Sequence, residues 1–192
     1  DAFYRGDIAA KIVRFHEENG GLLAADDLAR YRATVEKPFR VRFGDVDVYG
    51  CGPWCQGPML LQALSVLDGV DLAALGHNTT DYVHTVAETI KLSAADRHAY
   101  YGDPKFVDVP METLLSDAYA EARRKQIRPD KAWPDMPPAG EIAGWSVTAS
   151  GTAAGGAPPK FPALDTSYVC VVDAAGNAFS GTPSDGSMAS PV

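Results

Sequence analysis

An α+β fold, mainly helical with short antiparallel strand pairs, is what this chain predicts. Apolar residues recur at helical spacing in several separate stretches, and two pairs of β-rich runs are each joined by a turn signal. A chain of 192 residues with ordinary apolar content is also long enough for one core, or for one core plus a tail.

Ile8, Ile12 and Phe15, with Ala9 and Val13 beside them, keep helical spacing until Asn19-Gly20-Gly21 stops the helix. A short helix over Ala25 to Tyr31 follows, with Leu28 and Tyr31 on one face. Val35 to Phe43 and Val46 to Tyr49 read as strands joined at Gly44-Asp45, because Arg40 and Arg42 alternate with Phe39, Val41 and Phe43. Pro38 puts a break or an edge at the start of the first strand. Gly50 to Pro58 is a loop, and Met59 to Leu67 a buried helix with Leu60, Leu64 and Leu67 at helical spacing.

Thr79-Thr80-Asp81 offers caps for the longest helix, Asp81 to Tyr101, whose apolar stripe is Val83, Val86, Ala87, Ile90 and Ala94. His84, Glu88, Lys91 and Asp96-Arg97-His98 mark its polar pairing and capping positions. Gly102-Asp103-Pro104 ends it. The last helix, Ser116 to Ile127, carries Asp117 and Glu121 early and Arg123, Arg124 and Lys125 late, in agreement with the helix dipole. After it, residues 128–165 lose all periodicity and read as a flexible connector.

A formal net charge of -8 argues against nucleic acid or anionic membrane as the main partner. No apolar run approaches a membrane span, and no signal-peptide pattern opens the chain. With no Met at its start, the chain reads as an excised or processed piece. Its three cysteines, Cys51, Cys55 and Cys170, do not make a disulfide framework. Cys51-Gly-Pro-Trp-Cys55 has three intervening residues and no second ligand pair at zinc spacing, and His84 and His98 form no HExxH. We therefore expect no metal and no cofactor. The loop 50–58 lacks the Lys-Ser/Thr of a phosphate loop and the GxGxxG spacing. Cys170, in mid-strand, is expected to be buried as a small apolar residue.

The second pair of β-rich runs lies near the end. Tyr168 to Val172 is β-branched and aromatic, and Ala178-Phe179 begins a second, shorter run. Asp173 suits the first position of a type I turn, and Gly176 the left-handed residue that closes a three-residue loop. With Ala174, Ala175 and Gly176 as the loop, Asp173 faces Asn177 and Thr166 faces Ser184. Paired residues share a face, so the two hydroxyls sit side by side, and a one-residue slip would separate them. A threonine there is an ordinary strand residue unless the Asp165–Thr166 bond is cut. Cleavage would free an α-amine with a pKa of about 7.7–8.0, able to take the proton of its own hydroxyl. The loosely patterned segment upstream gives the access that such a cut needs.

The order of segments resembles the γ-glutamyltranspeptidase family of N-terminal-nucleophile hydrolases. The matching text includes Phe3-Tyr4-Arg5-Gly6-Asp7-Ile8-Ala9, Asn19-Gly20-Gly21-Leu22, Asp27-Leu28-Ala29-Arg30-Tyr31 and Leu60-Leu61-Gln62. It continues with Ala87-Glu88-Thr89-Ile90-Lys91-Leu92, Ala95-Asp96-Arg97 and Tyr101-Gly102-Asp103-Pro104-Lys105-Phe106. Thr166-Ser167-Tyr168-Val169-Cys170-Val171-Val172-Asp173 and Gly176-Asn177-Ala178 resemble the start of the family's small subunit.

The resemblance implies an αββα sandwich made as a precursor that cuts itself before a threonine. Residues 1–127 would then be the C-terminal, mainly helical portion of the large subunit, 128–165 the connector, and 166–192 the start of the small subunit. Thr166 falls on the nucleophile that attacks γ-glutamyl amides such as glutathione, and Ser184 on a supporting hydroxyl. Gly186 stands where the transpeptidases usually carry an Asn, which points towards cephalosporin-type acylases; a non-catalytic binding protein is the other alternative. The family's substrate-binding arginine would lie upstream of Asp1 and its oxyanion hole beyond Val192. We therefore expect the chain alone to be silent, with the remainder of both subunits as its partners and a periplasmic or secreted location by resemblance.

Overall fold

This computed structural model describes residues 1–145 and 167–182. The chain divides into two compact units, Val35–Ala154 and Asp1–Thr34 with Gly155–Val192.

In the first 34 residues α1 (Ala2–Arg5), α2 (Asp7–Asn19) and α3 (Ala25–Arg30) pack on one another. Arg5 donates to the Ala29 carbonyl at 2.7 Å, and the rings of Tyr4 and Tyr31 stack with centroids 5.9 Å apart. The stop at Gly20 is a left-handed cap whose N–H returns to the His16 carbonyl. Helix α2 buries only Ala9, so Ile8 and Phe15 of its apolar face stay exposed.

The larger unit is built around α4 (Gly57–Asp68). Strands β1 (Phe39–Phe43) and β2 (Val46–Gly50) form an antiparallel hairpin turning at Gly44-Asp45, as the alternation requires. Val41 is buried, while Arg40 points outward and donates to Asp47 at 2.8 Å. The first strand begins at Phe39 rather than Val35, because Pro38 has no N–H for a ladder and Val35 is fully exposed. The Gly44 N–H donates to Asp68 at 2.7 Å, tying the hairpin turn to the end of α4.

Helix α4 starts two residues before the expected Met59, with Pro58 in its first turn, where its missing N–H costs nothing. Its buried face is Pro58, Leu61, Gln62, Ala63, Val66 and Leu67. Leu60, expected in the core, is exposed. The expected face was rotated by about one residue, because Gln62 is recruited inward by polar partners that periodicity does not see. At the other end Arg124 donates to the carbonyls of Val66 at 2.6 Å and Ser65 at 3.1 Å, satisfying the last turn of the helix. A Cβ on Gly69 would lie within 2.4 Å of three atoms of that guanidinium, so only glycine leaves the cap its space.

After α5 (Leu72–Leu75), Thr79 Oγ1 accepts the Tyr82 N–H at 3.2 Å and caps α6 (Thr80–Tyr100). The expected apolar stripe of α6 is overturned. Val83 and Ile90 are exposed, and the buried face is Glu88, Thr89, Leu92, Ser93, Ala95, Asp96, Ala99 and Tyr100. A helix can bury so polar a face only if its charged groups find partners; Glu88 and Asp96 do, while the buried Ser93 hydroxyl has no hydrogen-bond partner among the described residues. Here the partners come from α4, from α8 (Asp117–Arg124, after the short α7, Met111–Leu114) and from residues 128–145. Ser116 caps α8, accepting the Tyr119 N–H at 3.3 Å. Helix α8 ends at Arg124, three residues before the expected Ile127.

Residues 128–145 carry no helix or strand, yet they are held. Trp133 accepts from Lys91 at 2.8 Å and donates to Glu88 at 3.0 Å, and Tyr100 donates to the Gly140 carbonyl at 2.6 Å. His84 Nε2 lies 2.7 Å from the Arg128 carbonyl oxygen. Ile142 joins Ala99, Tyr100, Met111, Leu114 and Tyr119 in one buried cluster.

Candidate functional site

The hairpin β3 (Val169–Val172) and β4 (Ala178–Gly181) is the element on which the predicted site depends. Its turn has the expected chemistry. Asp173 N–H donates to the Asn177 carbonyl and Gly176 N–H to the Asp173 carbonyl, both at 3.0 Å. Gly176 adopts φ +82°, a left-handed conformation that a side chain resists. The Asp173 carboxylate accepts the N–H groups of Ala175 and Asn177 at 2.9 Å and the Asn177 amide at 2.8 Å. These bonds, led by the one from the Asn177 side chain, hold its pKa below the ordinary carboxylate value.

The turn sets the register. Val172 pairs with Ala178, Val171 with Phe179, Cys170 with Ser180 and Val169 with Gly181. This is the alignment that Asp173 and Gly176 predict. Tyr168, Cys170 and Ser180 share one face, and the Ser180 hydroxyl donates to the Tyr168 oxygen at 3.2 Å. Thr166, Ser184, Gly186 and Asp165 lie outside the described residues. Cys170 corrects an expectation: it is exposed, as are Tyr168, Val169, Val171, Val172 and Phe179, because no described residue covers either face of the hairpin.

A second feature was signalled in the sequence only by Asp96 as a polar pairing position, without its partner. Asp96 and Arg123, both fully buried, meet with Arg123 Nε 3.1 Å from Asp96 Oδ2. The Gly140 N–H donates to Asp96 Oδ1 at 2.8 Å, and the Gln62 amide donates to Oδ2. Burial pushes the Asp96 carboxyl up; Arg123, the Gly140 N–H and the Gln62 amide oppose it, and the net direction is upward. Arg123 also donates to the carbonyls of Leu92 at 2.9 Å and Pro138 at 3.2 Å. Spacing on α8 gave Arg123 only a place near the helix end; Asp96, Leu92 and Pro138 lie 27, 31 and 15 residues away in sequence, beyond the reach of helical periodicity. The network binds the chain leaving α8 to α6.

Near Glu88, burial again raises the carboxyl, but the Lys91 ammonium, the Trp133 N–H and the His84 ring outweigh it and leave the pKa below the ordinary value. Glu88 is thus an ionised, fully partnered structural group. Between the loop before α4 and the end of α6 lies an open cleft of about 620 Å³, lined by Pro53, Trp54, Cys55, Gln56, Arg97, His98, Tyr101 and Gly102. Among the described residues no group of three or more His, Cys, Asp or Glu side chains could hold a metal ion. No described helix is long and apolar enough to cross a membrane.

Known proteins resemble this chain over nearly all of its length. A sequence model described as Gamma-glutamyltranspeptidase matches residues 1–188. The Acylase ACY 1 proenzyme of Pseudomonas sp. (strain SE83) is 34% identical over 183 residues, 95% of this chain and 29% of that protein. The Glutathione hydrolase proenzyme of Escherichia coli (strain K12) is 37% identical over 135 residues, 70% of this chain and 23% of that protein. Among solved structures, the gamma-glutamyltranspeptidase of Helicobacter pylori is 31% identical with a TM-score of 0.65, covering 81% of this chain and 43% of that one. The chain therefore spans between about a quarter and a third of the length of these curated relatives. With an α+β fold, a hairpin in the expected register and a family match from its first residue to position 188, the chain belongs to the gamma-glutamyltranspeptidase family.

Proposed function

We propose that this chain is part of an autoprocessing γ-glutamyl transferase or hydrolase in which Thr166 is the nucleophile. The observation that supports this best is the register of β3 and β4. Continued by strict antiparallel alternation beyond Val169 and Gly181, it would bring position 166 opposite position 184 on one face. Cleavage of Asp165–Thr166 frees the Thr166 α-amine, whose pKa of about 7.7–8.0 suits it to accept the Thr166 Oγ proton at neutral pH. The Oγ then attacks the carbonyl carbon of a γ-glutamyl amide. The C–N bond breaks as the ammonium returns its proton to the leaving amine, giving an acyl-threonine. Water or an acceptor amine attacks that ester and restores the hydroxyl. Ser184 holds the Thr166 hydroxyl in orientation, and the groups that bind substrate and stabilise the oxyanion come from the rest of both subunits.

N-terminal sequencing of the complete protein tests this. A chain beginning Thr-Ser-Tyr-Val is expected, and Thr166→Ala should leave an uncut precursor with no hydrolysis of a γ-glutamyl anilide. A processed protein whose new terminus lies elsewhere would overturn the assignment.

One observation favours a second substrate class. The alignment with the acylase proenzyme covers 95% of the chain, against 70% with the glutathione hydrolase proenzyme, and Gly186 stands where the transpeptidases usually have Asn. An acylase cleaving cephalosporin-type amides through the same Thr166 chemistry fits these facts. Comparing kcat/KM for a γ-glutamyl anilide and a glutaryl or adipyl amide separates the two.

A further inference from the structure

The loop between β2 and α4 carries two cysteines that the proposed chemistry does not use. Gly52-Pro53-Trp54-Cys55 is a tight turn closed by the Cys55 N–H on the Gly52 carbonyl at 3.3 Å. The Cys55 thiol sits 3.5 Å from that same carbonyl and accepts the Gly57 N–H at 3.3 Å. Gly57 in turn lies against Cys51: a Cβ built on it would be 3.0 Å from the Cys51 nitrogen and 3.4 Å from the Cys51 Cβ. The chain thus doubles back so that Cys51, Cys55 and the first turn of α4 meet at one point. Cys51 is exposed, and Cys55 is part-exposed on the wall of the cleft.

We propose that Cys51 and Cys55 are a thiol modification site, forming a reversible intrachain disulfide by exchange with small-molecule disulfides. The Cys51 thiolate attacks one sulfur of the reagent, whose S–S bond breaks and releases one thiolate. The Cys55 thiolate then attacks the Cys51 sulfur of the mixed disulfide and releases the second. The two protein thiols lose two electrons and two protons, and the reagent leaves as two thiols. The neighbouring Cys55, and then burial, push the Cys51 thiol up, so the exchange speeds up as pH rises. Loop-closure stabilisation grows with ring size, so a ring of five residues gains little and reopens readily in a reducing medium. Cys170, exposed in the hairpin, serves as an internal control.

The test treats the complete native protein with 2-hydroxyethyl disulfide, blocks remaining thiols by alkylation, and maps peptides by mass. The expected peptide spanning 51–55 has lost two hydrogens, carries no adduct and regains both on treatment with dithiothreitol. Cys55→Ser should instead retain the hydroxyethylthio adduct on Cys51. Persistent adducts on Cys51 or Cys55 of the unaltered protein, or two cysteines still open to alkylation, would overturn the proposal. Neither outcome depends on Thr166.

Discussion

Asp96 and Arg123 are the residues whose removal the fold should feel most. Both are fully buried, and each also holds backbone from a different segment. Arg123→Met leaves the Asp96 carboxylate buried without its cation, an arrangement that costs about 3–5 kcal/mol. Replacing both, Asp96→Leu with Arg123→Met, should recover part of that loss, because two apolar groups leave no stranded charge. Urea unfolding of the complete protein measures both; equal losses in the single and double variants would refute the pair as the source. Glu88 gives a pH signature of the opposite sign to that of a buried neutral acid. Its folded pKa lies below its unfolded value, so its stabilisation is fully present above about 4.3 and is lost as pH falls through the lower folded value. Glu88→Gln should therefore lower the melting temperature near neutrality, by the equivalent of about 1–3 kcal/mol. The gap to the parent should narrow as pH falls through that lowered folded value, and a gap independent of pH would exclude the linkage.

At the level of elements, what could be read beforehand follows the range of the interaction. The turn at Asp173 and Gly176 is written in five consecutive residues, and it fixed the alignment of β3 and β4. The caps at Thr79 and Ser116 and the stop at Gly20 are equally local. The buried face of α6 is not, because Glu88 and Asp96 are chosen by Trp133, Gly140 and Arg123, which arrive from distant sequence. Hydrophobic spacing selected Val83 and Ile90 instead, and these face outward. Likewise the proposed pairing of Thr166 with Ser184 only extends this local turn logic, whereas the groups around them would come from distant sequence. The turn therefore invites a direct test. Gly176 at φ +82° should tolerate Asn, but Gly176→Val forces a β-branched side chain into the left-handed region at a cost of about 1–2 kcal/mol. If the pairing positions Thr166, Gly176→Val should reduce the cleaved fraction of precursor on a gel, while Gly176→Asn leaves it near the parent level. Undiminished cleavage in both would separate the turn from processing.

For the whole molecule, the exposed apolar surface is the informative quantity. Ile8 and Phe15 on α2, Val83 and Ile90 on α6, and the cross-strand pair Val171 and Phe179 all face solvent in this chain. Each of these pairs shares one face of its own element, and a two-stranded hairpin has little stability by itself. The family relatives are three to four times longer, so we expect the remaining length of the protein to cover these faces and to extend the hairpin into a wider sheet. Hydrogen exchange distinguishes this from a free-standing unit. In the isolated 192-residue chain the β3 and β4 amides should exchange almost as fast as in an unfolded peptide; in the complete protein they should be protected by several orders of magnitude. The α6 face makes the same point by substitution. Val83→Lys with Ile90→Lys should leave the isolated chain unaffected, since both side chains already meet water. In the complete protein each loses about 1.5–3 kcal/mol of apolar burial, before the cost of placing an ammonium there. A complete protein indifferent to both lysines would mean that this stripe is true outer surface and that the hairpin alone marks where the rest of the protein docks.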